Sequence, residues 1–556
     1  MNTHTGSYRK NIQSLIMIEP EDYCAIVCRE PDRLRIVNAH DEVVETIQTC
    51  LSLNQIEFSF YCKSKATCAF KLKNSPFSVA GCSEHETIQL KRALAASIER
   101  LQSISWHIVI NTDVGKMKTN SCIFLRKIVV FDQIKRNKLT RDGNIFTFSP
   151  SGVSSILLID VPEHVEKDLV DGVKSLCSVN NYKVISNIDD GAIITSKVSL
   201  SGFTWTASGA HAIALRRMIL EVVKIARKHK FELVTNLNLK GTTDSLLFQH
   251  KASLLDGPED MFLMSLNRND RLRLICAPSY IVTAGEEMIS QNWGVQACKQ
   301  KEEDCYEFKL YGNPWWADGE TAVKSRYLIA VIIAKFKSLG WEIGATVDVS
   351  RKLNDKSVFV FRQCPPEQQE FAVLSFHESD KLRFLSSTEN TYLLTDGIDR
   401  ILAESDMTKS ISYYWRAKQW KLRGVPFSGN PTYGVDLRLI VHHLTRILKH
   451  FHKHGWRLVA SADISAKYEG NSSGNKYPLD THSLFFLHDP DSMILSDTVL
   501  TIDTEDATEC ENEFGDQFCV DEIKSEKSQL RYIIRVVLPA VFVFGLVLYY
   551  IFTIVS

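Results

Sequence analysis

An excess of charge of either sign is missing from this chain. Its 65 Lys and Arg stand against 66 Asp and Glu, a formal net charge of −1 over 556 residues. No global field therefore draws it to nucleic acid or anionic lipid, and no basic run is long enough to make a local patch. A disulfide rhythm is also missing. The 14 cysteines are scattered, none in a Cys-x-x-Cys pair, and Cys24, Cys28, Cys122 and Cys276 sit in apolar runs. Reduced, buried thiols of a cytosolic protein are the expectation. Catalytic signatures are lacking: no Gly-x-Ser-x-Gly, no phosphate-binding Gly-rich loop, no Gly-x-Gly-x-x-Gly after a strand and no kinase loop set. The opening residues hold no apolar stretch of signal-peptide length, and Asn2 excludes myristoylation. No catalytic residue, cofactor site or metal site is expected.

Long hydrophobic runs are rare, with one exception. "VVLPAVFVFGLVLYYIFTIV", Val536 to Val555, is 20 residues without a charge, 14 of them Val, Leu, Ile or Phe. That length matches a bilayer core, and membrane insertion of those side chains is worth about 4 to 8 kcal/mol. Residues 532–555 read as a transmembrane anchor, preceded by Lys524, Lys527, Arg531 and Arg535. The chain resembles tail-anchored proteins, which keep their N-terminal bulk in the cytosol. With no basic residue after the span, the endoplasmic reticulum is favoured over the mitochondrial outer membrane. The acidic stretch 491–530, poor in apolar residues, reads as a disordered linker.

The remaining residues repeat. "FKLKNSPFSVAG" (70–81), "VSLSGFTWTASG" (198–209), "FKLYGNPWWADG" (308–319) and "WKLRGVPFSGNP" (420–431) align on an aromatic corner before a helix. An aromatic then opens the next strand, Trp106, Phe231, Trp341 or Trp456, and seven residues on comes Asp113, Asn238, Asp348 or Asp463. Three copies also carry Asp-[Arg/Lys]-Leu-Arg, ending at Arg35, Arg273 and Arg383; the second copy does not. Four α+β units follow, 22–130, 154–251, 260–364 and 370–490. Each is expected to be an antiparallel sheet with two helices in the order β-β-α-β-α-β-β.

Candidate functional residues come from the same alignment. Phe77, Trp205, Trp315 and Phe427 interchange Phe with Trp, as a hydrophobic anchor between strand and helix does. Trp316, opposite Ser78, Thr206 and Ser428, is peculiar to the third copy and is the candidate exposed contact. The Asp113, Asn238, Asp348, Asp463 set tolerates loss of charge, which suits a strand-end cap. The Asp-[Arg/Lys]-Leu-Arg pattern reads as an ion pair or hairpin feature within a unit. Lys91, Arg216 and Arg326, each 15 residues before the strand aromatic, read as snorkelling helix residues; the fourth copy has Val441 at that spacing and Arg438 a few residues earlier. His442, His443, His450, His452 and His454 are expected on a solvated flank of the fourth unit's helix, without a metal. The third unit's helix is apolar on nearly every face, so it must be covered on two sides. Tandem units without catalytic groups point to an adaptor or scaffold with protein partners. The alternatives are a lipid- or small-molecule-handling protein with an interdomain pocket, and RNA binding on sheet faces.

Overall fold

The computed structural model describes residues 22–489 apart from short internal stretches, the longest being 129–144. The span Val536–Val555 and the 491–530 linker lie outside the described residues. No helix among the described residues is long and apolar enough to cross a membrane. All described residues belong to one compact unit, Met1–Val499.

Four antiparallel six-stranded sheets carry the fold. Unit 1 holds β1 (Tyr23–Arg29), β2 (Arg33–Val37), α1 (Asp41–Leu53), β3 (Phe58–Lys63), β4 (Thr67–Leu72), α2 (Glu84–Ser103), β5 (Trp106–Thr112) and β6 (Thr119–Lys127). Unit 2 repeats the order with β7 (Ile145–Ser151), β8 (Ser155–Pro162), α3 (Glu163–Leu176), β9 (Val179–Ile188), β10 (Ile193–Leu200), α4 (Gly209–Lys228), β11 (Phe231–Leu237) and β12 (Ser245–His250). Unit 3 has β13 (Met261–Asn267), β14 (Arg271–Ile275), α5 (Ser279–Asn292), β15 (Val295–Glu302), β16 (Cys305–Leu310), α6 (Gly319–Ser338), β17 (Trp341–Val347) and β18 (Val358–Gln363). Unit 4 has β19 (Phe371–His377), β20 (Lys381–Ser386), α7 (Tyr392–Ala403), β21 (Thr408–Tyr414), β22 (Ala417–Leu422), α8 (Gly434–Lys453) and β23 (Trp456–Ala462). A small ribbon, β24 (Tyr468–Gly470) and β25 (Lys476–Pro478), precedes its last strand β26 (Asp480–His488). Each sheet runs in the order of unit 1, β3-β4-β2-β1-β6-β5.

Two sequence readings change. The order within a unit is β-β-α-β-β-α-β-β, because the middle segment is a complete hairpin: β15 and β16 turn at Glu303–Asp304. The second sheet also starts before residue 154, since β7 pairs with β8 from Thr147↔Ile159 to Ser151↔Ser155. Pro150 and the "SPSG" run disguise that strand, because proline inside a strand pattern argues for a turn. Proline is tolerated here because it is the next-to-last residue, at the hairpin end.

The units share their cores. Helix α2 packs on β7 and β8, α4 on β13, α6 on β19 and α8 on β1, so every second helix lies between its own sheet and the next one. The last contact returns to unit 1 and closes the cycle. Cores merge in the same sequence. The unit 3 core takes in Val373, Leu385 and Phe485 of unit 4, and the unit 4 core takes in Ala25, Val27 and Phe124 of unit 1. A sheet covered on both faces has no solvated side, which is why β1, β13 and β19 are mostly apolar and buried along their whole length. It also explains the third unit's helix, where Leu328, Ile329, Ile332, Ile333 and Phe336 are all buried. The fourth helix is covered on two sides as well, with polar groups on the second: Thr445 accepts from Asn38 of unit 1 at 2.7 Å. Local signals still set the ends. Ser83 caps α2 in a reciprocal box with Glu86, and α6 stops at Gly340 (φ +85), where a Cβ would sit 3.0 Å from the Cys364 carbonyl.

Helix cations tie neighbouring units together. Arg326 on α6 donates to Asp480 of unit 4 at 2.9 Å, both buried, and Arg216 on α4 pairs with Asp355 of unit 3 at 3.3 Å. Removing one member of a buried pair leaves an uncompensated charge, at a cost of ~3–5 kcal/mol. Arg326→Met is therefore expected to lose about that much in denaturant unfolding, with all four units melting in one transition. Lys174→Met, which breaks an exposed pair, is expected to change stability by less than ~0.5 kcal/mol.

Candidate functional site

The repeated aspartates meet where the last strands meet. β5 contacts β11 and β23, and β17 contacts the same two, a closed circuit of inner sheet edges. At its end stand Asp113, Asn238, Asp348 and Asp463. Each donates its backbone N–H to a side chain on another unit. Asp113 reaches His482 Nδ1 at 3.3 Å and Asn238 reaches Ser121 Oγ at 2.9 Å. Asp348 reaches Asp244 Oδ2 at 2.6 Å and Asp463 reaches Ser357 Oγ at 2.9 Å. Three of the side chains also cap their own turn, accepting from Gly115, Ser350 and Ser465 N–H at 3.2, 3.1 and 2.9 Å. The set is thus an inter-unit clasp as well as a strand-end cap.

The clasp gathers acid in a dry place. Burial pushes Asp113 and Asp348 well above the usual carboxylate range, with Asp244 and Asp463 adding repulsion to both. Burial likewise raises Asp244 to about 6 and Asp463 to about 7. Lys356, buried beside Asp463 and Asp355, is pushed down by burial to about 8. Burial also lowers His377, His443 and His482 to about 4. Asp480 goes the other way: burial would raise it, but His377, Arg326 and Arg383 hold it below the usual range.

The corner aromatics Phe77, Trp205, Trp315 and Phe427 are all fully buried. Each donates its N–H to a carbonyl of its unit's first hairpin: Pro31 (3.1 Å), Val153 (3.4 Å), Asn269 (3.0 Å) and Ser379 (3.0 Å). The strand-opening Trp106, Phe231, Trp341 and Trp456 are buried too. Trp316 is 42% exposed. Of the Asp-[Arg/Lys]-Leu-Arg arginines, Arg273 pairs inside its unit with Glu307 at 2.7 Å. Arg383 also reaches the Gly319 carbonyl of unit 3 at 3.2 Å, so an intra-unit reading is incomplete. The snorkelling reading of Lys91, Arg216, Arg326 and Arg438 fails, because all four are buried. The histidines are not all on a solvated flank either. His443 is fully buried, and Gly397 admits His450 so closely that a Cβ there would lie 2.1 Å from its Nε2. Among the described residues no group of His, Cys, Asp or Glu is placed to hold a metal. Burial pushes the Cys28 thiol up to about 12, so it is not a thiolate nucleophile at neutral pH.

One surface feature has no counterpart in the sequence reading. Between units 3 and 4, a groove of about 520 Å³ runs past Trp293, Lys324, Tyr327, Trp415 and Arg416. Trp415 is 45% exposed and sits at φ +48 in the β21–β22 turn. Its ring meets Tyr327 edge-on at 5.1 Å. The Arg416 guanidinium lies 5.3 Å from Tyr327 and 5.5 Å from Trp415, and Lys324 lies 5.7 Å from Trp415. These four residues come from two units, so no linear pattern contains them.

The sign of the pH dependence follows from these shifts. A raised acid supports the fold fully below its ordinary value of 3.8, and that support is lost as pH rises through the folded values of about 6 and 7. The lowered histidines act oppositely, weakening the fold as pH falls from 6.5 towards about 4. Stability is therefore expected to peak in mildly acidic buffer. Asp348→Asn, the residue unit 2 already uses, keeps the turn acceptor and removes the repelling charge. Its melting temperature is expected to rise by about 2–4 °C near pH 8 and to stay within about 1 °C of the parent near pH 5, as read by calorimetry.

No curated protein matches the chain. One domain-family model matches residues 22–125, 260–362 and 370–487, which are units 1, 3 and 4. Unit 2, the copy without Asp-[Arg/Lys]-Leu-Arg, lies outside the matched residues. The three stretches make up more than half of the 556 residues, and the chain belongs to the family that this domain defines.

Proposed function

We propose that the protein is a tail-anchored adaptor or scaffold, without catalytic activity, that presents one rigid four-unit platform to the cytosol. The observation that supports this reading is the groove of Trp415, Tyr327, Arg416 and Lys324. It holds one exposed tryptophan, a half-buried tyrosine and two cations at the joint of two units. Aromatic rings and guanidinium groups of this kind are what binding hot spots are made of. Two cations beside apolar faces suit a protein segment that carries carboxylates next to apolar side chains. Shared cores matter to this function. Units whose cores are merged cannot swing independently, so sites on different units keep a fixed spacing. Membrane attachment through Val536–Val555 and residence on the endoplasmic reticulum are part of the proposal.

The test is site-specific cross-linking in native membranes. Tyr413, 73% exposed on β21, is replaced by a photo-reactive amino acid in the full-length chain. Discrete protein adducts are expected in the membrane fraction, and Arg416→Glu is expected to remove them. An adduct pattern identical to that from Tyr182, exposed on β9 of unit 2, contradicts the assignment, as does survival of the adducts in the Arg416→Glu chain.

A further inference from the structure

The second unit departs from its siblings at one register position, and the space that results is not filled by any described residue. Hairpin pairing fixes the alignment: Ser265 faces Arg273, Ser375 faces Arg383 and Val27 faces Arg35, whereas Ser149 faces Leu157. In units 3 and 4 the arginine spans to its neighbour strand, Arg273 to Glu307 and Arg383 to Gln419, both at 2.7 Å. Leucine cannot reach that far or make those bonds. At the joint of units 1 and 2 there is accordingly a cavity of about 330 Å³ with Leu157 on its wall. The hairpin tip is also trimmed. Gly152 (φ +54) stands where the others carry Glu30, Arg268 and Glu378, and a Cβ built on it would meet nothing within 4 Å.

The cavity wall is cationic and hydroxylic. Arg351 enters from unit 3, its position fixed by the N–H it donates to the Trp205 carbonyl at 2.8 Å. Its Nε is buried and has no hydrogen-bond partner among the described residues. A buried guanidinium N–H left unpaired is costly, and a bound oxyanion is the usual remedy. Lys91, itself buried and donating to Ser149 Oγ, brings a second positive charge. Thr243 and Ser245 add buried hydroxyls. Among the described residues the wall carries one carboxylate, Glu84, and it is engaged by Lys197 at 2.5 Å. Leu90, Leu157 and Leu239 add apolar lining.

We propose that this cavity binds a small phosphate monoester, its phosphate on Arg351 and Lys91 and its apolar stem against Leu90, Leu157 and Leu239. A phosphate offers three terminal oxygens to a fork of N–H donors and hydroxyls, more acceptors than a carboxylate has. The volume suits a compact ligand, at the small end of known pockets. The site is distinct from the groove between units 3 and 4 and does not rest on the platform reading.

Titration calorimetry on the purified full-length protein tests it, with phenyl phosphate, inorganic phosphate and benzoate as probes. Phenyl phosphate is expected to bind, inorganic phosphate more weakly and benzoate weakest. Arg351→Gln is expected to weaken phenyl phosphate by about 10- to 100-fold, the worth of charge-assisted hydrogen bonds. Leu157→Arg, which restores the arginine of the other units and fills the cavity, is expected to abolish binding while the protein still melts cooperatively. Cys82 lines the same cavity, so phenyl phosphate is expected to slow its alkylation in the unmutated chain. That readout needs no variant to fold. No binding of phenyl phosphate, tighter binding of benzoate, unchanged affinity in both variants, or alkylation of Cys82 unaffected by the probe would each overturn the proposal.

Discussion

The structure depends on one constraint: each sheet has two apolar faces and its own unit has helices to cover only one. Burying a Leu, Ile or Phe side chain is worth ~1.5–3 kcal/mol, so a second face as apolar as that of β13 or β19 cannot stay in water. The second helix of the preceding unit covers it. Helices α2, α4, α6 and α8 each serve two sheets, and the contact of α8 with β1 closes the cycle. A head-to-tail interface that closes on itself has no unsatisfied end. Within one chain this makes four domains into a single cooperative body.

Closure also disposes of sheet edges. Of the two edges in each sheet, the inner ones, β5, β11, β17 and β23, lie against one another, which removes their exposed backbone from competition. The cost is electrostatic. Strand ends that carry a turn-capping aspartate are brought together, and three of the four equivalent positions keep the carboxyl group, with Asp244 added from unit 2. The backbone N–H donors that hold these oxygens, and Lys356 beside Asp463, offset part of the repulsion. Of the outer edges, β15 and β21 carry mostly exposed side chains. It is next to one of them that the Trp415 and Arg416 turn projects.

Part of this architecture is legible in the sequence and part is not. The aromatic corner, the strand-opening aromatic and the aspartate seven residues later were visible because each recurs at fixed spacing, and together they define four α+β units. The all-round apolar helix of unit 3 announced a second covering surface. What stayed hidden lies between units. Nothing near Arg216 or Arg326 says that Asp355 or Asp480 waits on the next unit, so the solvated reading is the natural one for an isolated helix. His443 is buried on α8 near Glu404, which follows α7, while its neighbour His442 meets Asn38 of unit 1. β7 was hidden by Pro150 and by the missing Asp-[Arg/Lys]-Leu-Arg, the same departure that leaves the cavity beside Leu157. Lys324, Tyr327, Trp415 and Arg416 are brought together by the packing of α6 on unit 4, a contact between residues far apart in the chain.

The most direct test of the central claim is the oligomeric state of a chain cut after residue 364, measured by sedimentation over a range of concentrations. Without unit 4, the second face of α6 and the outer face of β1 are both uncovered, and they are complementary in kind. Closure as the organising constraint predicts that this three-unit chain self-associates with rising concentration and melts below the four-unit chain. A three-unit chain that stays monomeric and melts like its parent would contradict it, and would mean that the units are stable domains that merely touch.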